Sequence, residues 1–415
     1  MRSIVRSPLA LAMALATGSA IGMVGFAAPA VAQDDAKKDY SKPFIAAYQP
    51  VAEQSQAGGD PAALKASVPG VVSAASTPDD RYAAGQLAFS IGRSANDEAL
   101  QRQGLKMMVD SGRTPAAQIG QYNFVLGQMA YQAKNWAEAR QYLQQAVSAG
   151  YSEGDPQALL AETYFGSGQY NEGLDMLGAL IDDRLAAGQT VPENWFKRGL
   201  GVAYENDLPV QTNRYMTYYV ENYPNDTSWG DAVAIALTTN QFDGPATLDL
   251  LRLGQRVNAL REGSLYKEYV ETADARRLPG EVKRVIEDGI AKGKLDRSDP
   301  YIAETLATAT SRAAADQKDL STIESDARGS GANLRSVVAA GDVFLNYGDG
   351  AKAEEFYTKA LGMSGADTAT LLTRKGIAQV EQGKYAEAQA TFAQVEGARQ
   401  AISRLWGVYA GQQGG

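Results

Sequence analysis

Few residues in this chain are suited to catalysis. Histidine and cysteine are both absent. That excludes Ser-His-Asp and Cys-His nucleophiles, and zinc or haem held by histidine. There is no Gly-x-x-x-x-Gly-Lys-Ser/Thr run to cradle a phosphate. What remains is carboxylate pairing, as in glycoside hydrolysis, together with lysine and tyrosine chemistry. Asp79-Asp80 and Asp182-Asp183 are adjacent pairs that lack the alternating oxygen spacing of a calcium loop. Asp79-Asp80 suits a helix N-terminus, where carboxylates cap free amides. Glu162 stands alone, so it fits a solvated or partner-facing charge better than a catalytic one. The expectation is a protein with no catalytic residue, no cofactor and no metal.

Binding chemistry is better represented. Tyr215, Tyr218, Tyr219 and Tyr223 form the densest aromatic run, with Trp229 close behind. Tyrosine offers apolar area and a hydroxyl at low entropic cost, which suits a contact surface. Tyr215 and Tyr218 fall at helix-packing positions and are expected in the core. Tyr219 and Tyr223 are candidate contact residues.

The elements that would position these groups recur. Segments starting at Gly120, Gly154, Pro192 and Asp226 are 34, 38 and 34 residues apart. With Gly120 as position 1, Leu126, Gly127 and Ala130 take positions 7, 8 and 11, and Ala139, Leu143 and Ala146 take 20, 24 and 27. Each set lies on one face of a helix. Gly127 and Ala139 are expected to face one another where two helices must come close. The second copy repeats the pattern with Leu160, Ala161, Tyr164, Gly173, Leu177 and Leu180. The third has Trp195, Gly199, Tyr215 and Tyr218, and Trp229 follows Trp195 by 34 residues. The register returns from Leu334 with Gly341, Phe344, Ala353, Tyr357 and Ala360. It returns again from Ala369 with Gly376, Ala388, Phe392 and Val395.

A period near 34 with this pattern resembles the tetratricopeptide repeat family. The resemblance covers Gly120 to about Thr239 and Leu334 to about Ala401. It implies an all-α fold, a right-handed α-solenoid superhelix of tetratricopeptide-like helical hairpins. It also implies that positions 2, 5, 9 and 12 of each first helix line a concave groove. Those residues are Gln121, Phe124, Gln128 and Tyr131, then Asp155, Ala158, Glu162 and Phe165. In the C-terminal pair they are Arg335, Val338, Asp342 and Leu345, then Thr370, Thr373, Ile377 and Val380. The Lys/Asn set with which chaperone-binding members grip a C-terminal carboxylate is missing. Phe124, Gln128, Tyr131, Glu162 and Phe165 are the groove candidates, beside Tyr219 and Tyr223.

The rest of the chain divides as follows. Residues 1–32 have a basic start at Arg2 and Arg6, an apolar run from Leu9 to Phe26, and a small-x-small end at Ala30-Val31-Ala32. This is the order of a cleavable signal peptide, cut after Ala32. Residues 33–42 are expected as a disordered leader and 43–119 as diverged hairpins, with breaks at Gly58-Gly59-Asp60-Pro61 and near Asp79. Residues 120–241 hold the main repeats. Residues 242–330 are expected as irregular helical hairpins, with Val282, Val285, Ile286 and Ile290 as one apolar stripe and Asp299-Pro300 opening a helix. Residues 331–405 are the C-terminal repeats, and 406–415 a flexible tail.

The formal charge of −9 repels phosphate backbones, and no basic stripe offsets it, so nucleic acid is not an expected partner. Without disulfides, stability must come from each hairpin burying its face on the next. Together these features predict a periplasmic or secreted scaffold with no integral membrane anchor. It would bind protein or peptide partners in its concave groove and serve cell-envelope assembly or maintenance. The competing expectation is an enzyme, or an enzyme accessory, acting on cell-wall glycan.

Overall fold

A computed structural model describes residues 38–415. The signal-peptide segment 1–32 and the leader up to residue 37 lie outside the described residues. Among the described residues every regular element is helical and no strand occurs. The chain forms two compact units that meet in sequence at Val191 and Pro192.

The first unit contains α1 (Lys42–Gln56), α2 (Pro61–Ala74), α3 (Pro78–Ser94), α4 (Glu98–Asp110), α5 (Ala116–Gln132), α6 (Trp136–Ser148), α7 (Pro156–Gly166) and α8 (Tyr170–Ala186). Each packs on its neighbour in sequence. Proline occupies the first position of α2, α3 and α7, where its missing N–H costs nothing. The leader is ordered from Asp39. Its N–H donates to Asp79 Oδ2 at 2.8 Å, and its carbonyl accepts from Thr77 Oγ1 at 2.7 Å. Thr77, not Asp79, caps α3, and Asp80 completes the capping box. Asp80 is fully buried and also accepts from Ser41 N and Oγ at 3.1 and 2.7 Å. Ser41 in turn caps α1, so one carboxylate ties two helix starts together.

The second unit contains α9 (Glu193–Glu205), α10 (Pro209–Asn222), α11 (Asp226–Thr239), α12 (Gly244–Arg256), α13 (Gly263–Ala273), α14 (Pro279–Ala291), α15 (Pro300–Arg328), α16 (Leu334–Asn346), α17 (Gly350–Leu361), α18 (Thr368–Glu381), α19 (Tyr385–Phe392) and α20 (Gln400–Gly414). Val282, Val285 and Ile286 are buried as the stripe requires, in a cluster with Tyr266, Tyr269 and Ile302. Residues 300–328 form one long helix rather than a hairpin.

The hairpin register recurs in space. A Cβ on Gly127 would stand 2.7 Å from Leu143 Cγ. A Cβ on Gly199 would collide with Tyr215, on Gly341 with Tyr357, and on Gly376 with Phe392. In these four hairpins the position-8 glycine leaves the space that the position-24 side chain occupies, whereas the α7–α8 hairpin has Ala161 at position 8. Gly127 therefore faces Leu143, and Ala139 is fully buried.

The turns repeat too. The N–H of Asn135 donates to Ala130 O, Gln169 to Tyr164 O, Leu208 to Ala203 O, Asp349 to Phe344 O, and Lys384 to Gln379 O. Each turn passes through a residue with positive φ: Lys134, Gly168, Asp207, Gly348 or Gly383. This is the Schellman closure, reached from the left-handed region. Asp97 to Gly92 O through Asn96 is a sixth example, which makes α3–α4 the same kind of hairpin.

The flexible tail expected at 406–415 is instead part of α20. Trp406 is fully buried and donates through Nε1 to Asp249 O at 2.9 Å, and Gln412 Nε2 donates to Val220 O at 2.8 Å. The glycines and glutamines of this segment are weak local signals. Docking on α10 and α12 supplies the order instead.

Candidate functional site

In the first unit, the groove candidates divide by burial. Phe124 and Phe165 are each 6% exposed, and Glu162 is 7% exposed. Phe124 packs on Tyr151 with ring centroids 5.3 Å apart and covers Gly154. Phe165 lies where a Cβ on Gly173 would be. These rings fill the space left by small residues on neighbouring elements, so they are core and not open surface. Gln128 and Tyr131 remain half-buried, and Tyr131 meets Trp136 edge-on at 5.3 Å. In the second unit Tyr219 is 2% exposed and donates to Glu193 Oε1 at 2.9 Å, so it too is core. Tyr223 is half-buried against Phe196. Tyr215 is buried, and half-buried Tyr218 meets it edge-on at 5.8 Å.

The second unit also has an open cleft of about 260 Å³. Helices α12, α13, α14, α16 and α18 surround it, bringing together residues from Arg252 to Glu381. Leu345 and Ile377 are in its wall, at positions 12 and 9 of their hairpins. At 5% and 1% exposure they are core residues, like Phe124 and Phe165. Val285 adds to the apolar wall, while Gln255, Tyr269 and Tyr347 supply amide and hydroxyl groups. The charged lining is Arg252, Arg256 and Arg284 against Glu281 and Glu381.

A buried ionic network underlies this cleft, and the sequence did not reveal it. Arg252 grips Glu281 with two parallel bonds at 2.7 Å and donates to Asp249 Oδ1 at 2.7 Å. Asp249 Oδ2 accepts from Arg399 Nη1 at 2.6 Å. Arg374 lies 3.7 Å from the same oxygen and donates to Asp342 at 2.8 Å. Tyr269 donates to Glu281 at 2.8 Å, and Tyr357 to Asp342 at 2.8 Å. The Glu281 N–H donates to Asn346 Oδ1 at 2.8 Å, which pins the start of α14 to the end of α16. Arg256 pairs with Glu381, joining α12 to α18.

Three guanidiniums thus balance three carboxylates in the network's interior. Burial alone would push the Asp249 carboxyl up, but Arg374, Arg252 and Arg399 outweigh it and hold it below the usual range. Glu281 is also held low, because Arg252 and the Tyr269 hydroxyl outweigh its burial. Burial and the Glu281 charge raise Tyr269 well above an ordinary phenol. Asp249 and Glu281 are therefore ionised at neutral pH, while Arg374 Nε and Arg399 Nη2 are buried without a hydrogen-bond partner. The network's role is to fasten the C-terminal hairpins onto α12. Among the described residues no cluster of carboxylates could hold a metal ion, and no helix is long and apolar enough to cross a membrane.

No family model matches the chain, and no curated protein matches it. Solved structures similar to it include Naa15/Naa10 bound to HypK-THB, at 13% identity and TM-score 0.38, covering 84% of this chain. The chain spans 62% of that structure's chain. The TPR2AB domain of yeast Sti1 in its pHSP90 complex is similar at 15% identity and TM-score 0.22, covering 72% of this chain and 98% of that one. The P58(IPK) TPR domain is similar at 12% identity and TM-score 0.20, covering 89% and 98%. The assignment rests on the register repeated within the chain itself: its hairpins are all-α and tetratricopeptide-like.

Proposed function

We propose that this protein is an exported, non-enzymatic scaffold that holds protein or peptide partners on the inner faces of its hairpins, in a cell-envelope role. The observation that carries this reading is the repeated hairpin, in which a position-8 glycine is filled by the position-24 side chain. Such stacking commits the apolar residues to neighbouring helices, and stacked repeats in general present their remaining faces for contact. Gln128 and Tyr131 fit that use in the first unit, since both are half-exposed at positions the resemblance assigns to the inner face. Export rests on the basic, apolar and small-residue order of residues 2–32.

The test is recovery of partners from envelope extract by the wild-type chain and by Gln128→Arg. Loss of the same partners by the variant, at an unchanged melting temperature, supports the reading. Equal recovery by both chains overturns the assignment of the inner face.

A further inference from the structure

The first unit carries a row of tyrosines whose hydroxyls its folding does not use. Tyr48 lies on α1, Tyr82 on α3 and Tyr122 on α5, and Tyr40 leads into α1. The hydroxyls follow the order Tyr48, Tyr40, Tyr82, Tyr122, each within electrostatic reach of the next. Tyr122 ends the row, since its ring is buried and its hydroxyl donates to Gln118 Oε1 at 3.0 Å. The other three differ. Tyr40 is 37% exposed, Tyr48 and Tyr82 are half-buried, and none of these hydroxyls has a hydrogen-bond partner among the described residues. Phe44 steadies the Tyr40 and Tyr48 rings at centroid distances of 6.0 and 5.1 Å. Partial burial raises all three phenols, so each stays protonated and able to donate. The carboxylates beside Tyr40 are already engaged: Asp79 pairs with Arg113, and Asp80 accepts from Ser41, Ser76 and Thr77. The row therefore offers hydroxyl donors and ring faces without charge, and its complement is an uncharged chain of acceptors.

We infer that this row binds an extended, proline-rich segment of a partner protein. Polyproline II makes no internal hydrogen bonds, so its carbonyls are free to accept from the tyrosines, and aromatic side chains suit its pyrrolidine rings. Helices α1 and α3 are in direct contact, and the axes of packed helices lie roughly 8–10 Å apart. One polyproline turn of three residues covers about 9.3 Å, so a segment crossing α1 and α3 brings a new carbonyl to each. A helical segment has its carbonyls already bonded, and a Gly/Ser chain loses more entropy in lying straight. The row is separate from Gln128 and Tyr131, so the inference stands or falls apart from the contact proposed for them.

The experiment uses the full chain and calorimetry. The probes are decaproline, a Gly/Ser decamer and a chitin oligosaccharide, the last because tyrosine rings also stack on sugars. Decaproline should bind at about 1 mM or tighter, and at least about tenfold more tightly than the Gly/Ser decamer. Tyr40→Phe and Tyr82→Phe each keep the ring and remove one donor, so each should weaken decaproline about two- to tenfold. Neither hydroxyl has an internal bond to lose, so the melting temperature of both variants should not fall. Tyr204→Phe, at an exposed tyrosine of the second unit, should leave binding unchanged. No binding of decaproline, equal binding of the Gly/Ser decamer, indifference to both phenylalanine variants, or tighter binding of the oligosaccharide would each overturn the inference.

Discussion

Arg399 donates to Asp249 at 2.6 Å and so joins positions 150 residues apart in a buried ion pair. The pair sits where the segment between α19 and α20 returns to α12, and Trp406 adds a bond to the Asp249 carbonyl. It closes the second unit on itself. A repeat stack that touched only its sequence neighbours would have no such contact.

Removing Asp249 should therefore be costly. Asp249→Ala leaves Arg252, Arg374 and Arg399 facing one another in the interior without that carboxylate. The expected loss is about 3–5 kcal/mol. Breaking the exposed Arg328–Glu355 pair by Glu355→Ala should cost less than about 1 kcal/mol. Urea denaturation of both variants checks this, and comparable losses would contradict the closing role of the network.

The first unit carries an acid-sensitive joint at Asp80. Burial opposes its charge, but hydrogen bonds from Ser41, Thr77 and Ser76 prevail and hold its carboxyl at about 2. An unfolded aspartate titrates near about 3.9. The folded value is depressed, so the stabilisation is fully present above the unfolded value and is lost as pH falls toward about 2. Asp80→Asn should flatten the fall in stability between those pH values and lower stability at neutral pH. Denaturation curves collected across that range measure both effects. An unchanged acid limb would show that Asp80 is not the joint.

Position 127 should tolerate nothing larger than glycine. Leu143 occupies the space of its Cβ, so Gly127→Leu forces the helices of that hairpin apart, at a cost of about 1–3 kcal/mol. Gln144→Leu, at an exposed position one residue on, should cost less than about 0.5 kcal/mol. Similar denaturation midpoints for the two would refute the register.

Lys134 holds the left-handed turn of the α5–α6 hairpin at φ +59°, where three of the equivalent turns have glycine. A non-glycine residue pays roughly 1–2 kcal/mol for that conformation. Lys134→Gly should recover up to about 1 kcal/mol, because the freer unfolded chain offsets part of the gain. The readout is the urea midpoint, which should rise.

The local chemistry of the hairpins was legible from sequence because it is periodic. The repeat positions of Gly199, Tyr215, Gly376 and Phe392 follow from spacing, and the start of α15 from Asp299-Pro300, but the spacing did not show that position 8 meets position 24. What periodicity cannot carry is contact between distant segments. Asp249 and Arg252 look like a surface pair three residues apart until Arg399 and Arg374 arrive from the other end of the chain. Residues 406–415 read as a loose tail because their glycines and glutamines have little helical preference, and Trp406 finds its pocket only in the folded unit. The groove aromatics were misplaced for a related reason. Spacing puts Phe124 and Phe165 on a face, but Gly154 and Gly173 leave room that draws those rings into the core.

The inner face of the repeats is proposed to meet a partner. The most direct test is site-specific photocross-linking in the living cell, with the reactive side chain placed at position 128 in one strain and at exposed position 144 in another. A discrete protein adduct is expected from position 128 and none from position 144. No adduct at 128, or the same adducts from both positions, would contradict it.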